Sequence, residues 1–217
     1  MNQDRIKIDT IENFQTKSKI TLSNSEVYYL PIEVVVAHQL VASIVLTESQ
    51  VQIIRQEAEL FSAYNKAKQY LAMRDHSSGE LRLKLKKKTY PDNIITQVLS
   101  KCKKFGILDD EKYAYAISER LIARKPCGKS YLMSYLQAKY IPGDLGQAVS
   151  TMLFSSIDTK AQAVLALEKK WHMYEHLELE DARNKSYNYL ARRGFSFGEA
   201  KDAFEEVYKK KQEELNN

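Results

Sequence analysis

The feature that most constrains this 217-residue chain is that it repeats itself. Tyr70-Leu71-Ala72-Met73-Arg74 is followed by Leu81, Leu85, Tyr90-Pro91, Ile94, Val98 and Cys102. Arg120-Leu121-Ile122-Ala123-Arg124 is followed by Tyr131, Tyr135-Leu136, Ile141-Pro142, Leu145, Val149 and Leu153. Arg74 to Leu81 and Arg124 to Tyr131 are both steps of seven. Tyr189-Leu190, Phe195-Ser196, Ala203 and Val207 supply a third copy, and Leu85 to Tyr90, Leu136 to Ile141 and Leu190 to Phe195 are all steps of five. The copies are offset by 51 and then 54 residues. Each reads as three helices. Tandem units of this period bury their apolar faces against one another, which predicts an elongated stack.

Helix boundaries agree with the repeat. Pro91 and Pro142 fall at one repeat position, a helix start, where a missing N–H costs nothing. Ser196 takes that place in the third copy and forms a capping box with Glu199. Asp109 and Asp110 suit the N-terminus of a helix over 111–124. Gly194 fits a left-handed helix end. The segment Glu80-Leu81-Arg82-Leu83-Lys84-Leu85-Lys86 alternates like a strand. Its counterpart at 129–139 does not, and Ser77 with Glu80 offers a capping box, so a helix is expected with Leu83 on its flank.

Before residue 47 the pattern is different. Arg5 to Ile11 and Lys19 to Leu22 alternate apolar and polar, and Val27-Tyr28-Tyr29-Leu30 is β-branched and aromatic. Ser23-Asn24-Ser25 is a turn signal. These predict a small antiparallel sheet that must lean on something else, followed by a short helix over 32–38. Thr47 and Gln50 then form a capping box ahead of Val51, Ile54, Ala58 and Phe61 at helical spacing. The expected class is mainly α: tandem three-helix repeats with a small N-terminal antiparallel β module. The expected divisions are 1–46 for the β module, 47–108 for a linking helix and repeat 1, 109–156 for repeat 2 and 157–217 for repeat 3.

Composition excludes several classes. Seven glycines and four prolines disfavour glycine-rich nucleotide loops and turn-rich sandwiches. No P-loop or dinucleotide fingerprint is present. Cys102 and Cys127 cannot staple a chain of this length and are read as reduced. Val34 to Leu46, interrupted by polar residues, is too short for a membrane helix. The first ten residues lack a signal-peptide core. A cytoplasmic protein is expected. The net charge of +5 permits an anionic partner without requiring one.

One stretch resembles a known family. Tyr64-Asn65-Lys66-Ala67, Tyr70-Leu71, Arg74, Ser77-Ser78, Glu80-Leu81, Leu85 and Gly106-Ile107-Leu108-Asp109-Asp110-Glu111-Lys112-Tyr113-Ala114 resemble the RecX family. Arg192-Arg193-Gly194-Phe195-Ser196 is similar to its last repeat, so the resemblance runs from about Tyr64 to Val207. It implies three-helix repeats and a regulator of RecA, the recombinase that forms filaments on single-stranded DNA. It implies binding along the filament groove and inhibition of ATP hydrolysis and strand exchange, hence a role in recombination and DNA repair. One departure stands out. Members commonly carry glycine after the second helix of repeat 2, where this chain has Tyr140, and Thr89 fills the same column in repeat 1. A left-handed cap costs a non-glycine residue about 1 kcal/mol, so those two turns are expected to differ from that at Gly194.

The candidate contacts are cationic. Arg82, Lys84, Lys86, Lys87 and Lys88 are five cations in seven residues, with no acid among them. Arg82, Lys86 and Lys88 are placed opposite Leu81 and Leu85. Lys101 and Lys104 end the next helix. Arg124, Lys125 and Lys129 cluster in repeat 2, and Arg192 with Arg193 in repeat 3. Such rows can follow a phosphate backbone or meet an acidic protein surface. Cations at helix ends also offset the macrodipole with no partner at all. Tyr113 and Tyr135 are read as core, while Tyr115 and Tyr140 are open between core and base stacking.

Enzyme chemistry has little support. His172 and His176 stand one helical turn apart, but Met173 occupies the place where a zinc protease has glutamate. Cys102 shares its column with Leu153 and Val207, a core position. The reading is a non-enzymatic, monomeric modulator of the RecA filament with no cofactor or metal. The alternatives are a direct DNA-binding module and a helical scaffold for another protein.

Overall fold

The computed structural model describes residues 6–215. Arg5, which begins the first alternation, and the four residues before it lie outside the described residues. The chain divides into two units. The first takes in residues up to His76 together with Glu80–Leu108; the second takes in Ser77–Gly79 and the chain from Asp109 onward.

In the first unit, β1 (Ile8–Asn13), β2 (Lys17–Leu22) and β3 (Val27–Pro31) form an antiparallel sheet in the order β1-β2-β3. Ile11 opposes Ile20, and Ile20 opposes Tyr28. Ser25 turns the chain between β2 and β3 at φ 67°. The sheet does lean on other elements. Ile8, Ile20, Leu22 and Leu30 pack with Val35 of α1 (Ile32–Ala37) and with Val51 and Ile54 of α2 (Glu48–Met73). The outer edge of β1 is covered by the following loop, since Ile8 N–H donates to Ile44 O and Leu46 N–H to Ile6 O. α2 starts on the expected capping box, with Thr47 and Gln50 each accepting from the other's backbone N–H.

The far half of α2 packs on α3 (Ser78–Lys86) and α4 (Asp92–Lys104). Ala63 and Ala67 are fully buried where Leu81, Leu85, Ile95 and Val98 meet the helix. Each buried leucine contributes about 2 kcal/mol of apolar transfer. The alternating segment is indeed helical. Leu81 and Leu85 are in the core, and Leu83 stands 37% exposed on the flank.

The second unit holds α5 (Asp110–Arg124), α6 (Lys129–Ala138) and α7 (Gly143–Phe154) around one core, and α8 (Thr159–Glu168), α9 (Leu179–Arg192) and α10 (Phe197–Leu215) around another. Asp109 caps α5, accepting from Lys112 N–H at 3.0 Å. Ser196 and Glu199 close the box at the start of α10. Tyr113, Tyr115, Tyr131 and Tyr135 all pack partly buried against the α5–α7 core, and Tyr140 is exposed. Cys102 and Cys127 are free and buried, and burial pushes both thiols up.

Two local expectations need correction. Thr89, Tyr140 and Gly194 sit at φ 63°, 57° and 81°, so all three turns keep the left-handed conformation. About 1 kcal/mol of strain at Thr89 and Tyr140 is a smaller term than the burial on both sides that pins each turn. Trp171–Met173 is a short 3-10 turn with Trp171 buried against Phe204 and Tyr208. His172 and His176 therefore do not share a helix face, and both are exposed. Among the described residues no helix is long and apolar enough to cross a membrane.

The start of α6 meets the turn between α9 and α10 at main-chain distance. Gly128 N–H donates to Arg193 O at 2.9 Å, and Ser130 Oγ to Gly194 O at 3.1 Å. A Cβ added at Gly128 would fall 2.0 Å from Gly194 O, so only glycine fits there. The C-terminal carbonyls of α9 thus supply acceptors to the N-terminal end of α6, where backbone donors lack helical partners.

Candidate partner-binding surface

The cations singled out in the sequence divide between the units and differ in availability. In the first unit Arg82 and Lys86 share Asp92, with nitrogens 3.8 and 3.3 Å from its carboxylate, and Arg82 also donates to Thr96 Oγ1. Lys84 is half-buried. Its Nζ lies 4.9 Å from the centre of the Tyr70 ring and against His76 Nε2. Lys101 is exposed but lies 4.6 Å over Tyr64. Lys87, Lys88 and Lys104 are exposed and carry no side-chain partner among the described residues. Lys87 and Lys88 follow the end of α3 rather than continuing its face, so the row opposite Leu81 and Leu85 is shorter than expected.

Lys66 and Lys68 extend the lysine–tyrosine stacking, 5.4 Å over Tyr70 and 5.0 Å over Tyr64. Those rings are covered by this chain's own cations. Beside them, a groove of about 720 Å³ runs between β3 and α2 and includes Lys17, Tyr29, Arg55, Phe61 and Lys66. Arg55 is engaged there, donating to both carboxylate oxygens of Glu26 and to Tyr28 Oη.

His76 is 2% exposed. Its Nδ1–H donates to Arg74 O at 2.7 Å, which leaves Nε2 as the acceptor facing the Lys84 ammonium. Burial, with the charges of Arg74 and Lys84, holds its pKa below the ordinary 6.5 against the opposing pulls of the hydrogen bond to Arg74 O and, more weakly, of Glu80. The folded state therefore binds the proton less readily than the unfolded chain. Stability from this group is full above about pH 6.5 and is lost as pH falls toward the folded value. Urea unfolding of the wild type should show this decline between pH 7 and 5, and His76→Gln, which keeps a donor and an acceptor, should flatten it. An equal decline in both chains would place the proton elsewhere.

In the second unit Arg124, Lys125 and Arg192 are exposed. Lys129 is half-buried and donates to Thr151 Oγ1 at 3.0 Å. Arg193 is the clear misplacement. It is 7% exposed, its guanidinium donates twice to Pro126 O, and it lies 4.8 Å over the Tyr131 ring. A residue held this way is part of the fold, not a surface cation. Arg124 and Lys125 instead join Arg120, absent from the sequence-based set, around a pocket of about 300 Å³. Its signal in the sequence is faint: Ile117, Arg120, Leu121 and Arg124 form a helical stripe in which cations alternate with apolar residues. Among the described residues no cluster of three or more His, Cys, Asp or Glu could hold a metal.

Tandem three-helix bundles, a sheet-based module ahead of them, and scattered cations around each bundle define a helical repeat protein. Two family models match the chain: the first three-helix domain of RecX over residues 63–102, and the third over residues 158–204. Regulatory protein RecX of Bacillus licheniformis is 29% identical over 204 residues, spanning 93% of this chain and 76% of that one. Regulatory protein RecX of Prosthecochloris aestuarii is 28% identical over 151 residues, 70% of this chain and 97% of the relative. A crystal structure of regulatory protein RecX superposes with a TM-score of 0.75 at 19% identity, covering 94% of this chain and 99% of that one. RecX from Lactobacillus salivarius gives 0.60 at 20% identity, covering 69% and 96%. The chain thus carries matches to two RecX three-helix domains and is similar over most of its length to regulatory proteins RecX.

Proposed function

We propose that this chain is a cytoplasmic, non-enzymatic regulator of RecA that binds the recombinase filament on single-stranded DNA and slows ATP hydrolysis and strand exchange. The observation that carries the reading is the match of RecX domain models to α2–α4 and α8–α10. The mechanism rests on repetition. Separate helical bundles, each with its own exposed cations, can touch successive acidic patches of a polymer, and weak contacts then add through effective concentration. A monomer that spans neighbouring subunits favours one filament geometry and resists the changes that ATP turnover requires.

The test is single-strand-dependent ATP hydrolysis by RecA of a matched bacterium, titrated with this chain. Inhibition is expected well below one chain per RecA. Lys87→Glu with Lys88→Glu, which leaves the Arg82–Asp92–Lys86 cluster intact, should raise the residual ATPase several-fold at equal dose. Unchanged inhibition by that variant removes this end of α3 from the contact. No inhibition by the folded wild type at several-fold excess sinks the reading.

A further inference from the structure

We infer that the pocket between α5 and α6 is a binding site for one nucleotide of a single nucleic-acid strand. Its lining is Ile117, Arg120, Leu121, Arg124, Lys125 and Tyr135. Three of the six are cations and none is an acid. No ion pair or side-chain hydrogen bond engages Arg120, Arg124 or Lys125 among the described residues. That separates them from Arg82 and Lys86, which Asp92 already partly neutralises. The helix dipole accounts for one or two cations at the end of α5, since its C-terminal charge is only about half a unit. Three exceed that need, and Arg120 lies a full turn back from the end.

The rest of the lining selects the ligand. Ile117, Leu121 and the Tyr135 ring make an apolar floor. One face of that ring is overlaid by Lys139 at 5.6 Å, and the ring itself also borders the pocket. Apart from the cations, the only polar side-chain group is the Tyr135 hydroxyl. A peptide strand would bring N–H donors for which this lining offers no side-chain acceptor but the Tyr135 hydroxyl, at a cost for each one buried unpaired. A nucleotide concentrates its polar load in the phosphate, where two guanidinium groups and an ammonium can meet it, and offers a flat base to the floor. About 300 Å³ is at the small end of ligand pockets and suits one such unit. A base can enter only if it is unpaired, so the strand is single. With no amide or carboxylate to read base edges, binding is tolerant of sequence.

This site is independent of any RecA contact, and its test uses no RecA. A fluorescein-labelled oligothymidylate of about 15 nucleotides is titrated with the full chain at low salt and read by anisotropy. The wild type binds, and affinity falls as salt rises. Arg120→Gln with Arg124→Gln weakens binding at least about tenfold and flattens the salt dependence. Tyr135→Phe binds like wild type, and Tyr135→Leu loses about fivefold or more. Thermal melts establish that each variant is folded. The arginine pair is exposed, so its result stands even if Tyr135→Leu melts early. No binding by the wild type, or equal binding by the arginine variant, overturns the proposal. Displacement of the oligonucleotide from the wild type by poly-glutamate at equal charge, with the same loss in the arginine variant, assigns the pocket to an acidic protein segment and also overturns it.

Discussion

Replacing Gly128 by alanine should destabilise the second unit by about 3 kcal/mol, one of the larger effects open to a single added methyl. The added Cβ would fall 2.0 Å from Gly194 O, 2.5 Å from Gly194 C and 2.9 Å from Phe195 N. All three are backbone atoms, so no rotamer can move aside. Relief requires the start of α6 to withdraw from the α9–α10 turn, which breaks the bond from Gly128 N–H to Arg193 O. For a chain of this size the loss lowers the midpoint by roughly 10 °C. Gly143→Ala is the matched control. It opens α7, and nothing lies within 4 Å of its added Cβ. There the gain in helix propensity should leave stability equal or slightly raised. Thermal melts followed by circular dichroism separate the two; equal midpoints would mean that the joint yields at negligible cost.

Arg193→Ala should cost about 3 kcal/mol in urea unfolding, whereas Arg192→Ala should stay within about 0.5 kcal/mol of wild type. The neighbours look alike in sequence, but only Arg193 is buried, with two N–H groups on Pro126 O and its plane over Tyr131. Truncation leaves a buried carbonyl without its charged donor and removes the cation from the ring, losses of about 1.5–3 and 0.5–2 kcal/mol. Arg193→Lys should fall between, because an ammonium cannot reproduce the planar fork. If the alanine variants at 192 and 193 unfold together, the guanidinium is not holding the loop. The pair also has a use in binding studies: lost partner affinity in Arg192→Ala speaks for a surface contact, while the same loss in Arg193→Ala reports on folding.

What the sequence made legible was local or periodic. The Thr47–Gln50 box, the Ser196–Glu199 box and the helical reading of Glu80–Lys86 rest on neighbours within one turn or on the repeat, and these elements formed as expected. The failures lie where distant packing decides. Thr89 and Tyr140 hold left-handed turns that propensity alone argues against. Arg82 and Lys86 converge on Asp92 across a turn, a partnership that helical spacing within α3 does not announce. Asp110 stands in the first turn of α5 as expected, but nothing local announces that it is also buried, accepting from Ser78 N–H and Ser78 Oγ, both at 2.6 Å, within the second unit. The basic surface was legible as composition and illegible as geometry. Whether a cation is free depends on carboxylates, rings and carbonyls brought to it by the fold.

The contact between the start of α6 and the α9–α10 turn is made of peptide groups, and this bears on how such a chain can change over generations. A docking joint built from interlocking side chains drifts whenever one of them mutates. A joint of main chain on main chain is blind to most substitutions around it. The cores of α5–α7 and α8–α10 can be rewritten residue by residue while the spacing of these two bundles stays fixed, provided positions 128 and 194 carry no Cβ. Evolutionary freedom in the surrounding residues and rigidity at the joint are thus two results of one pair of glycines.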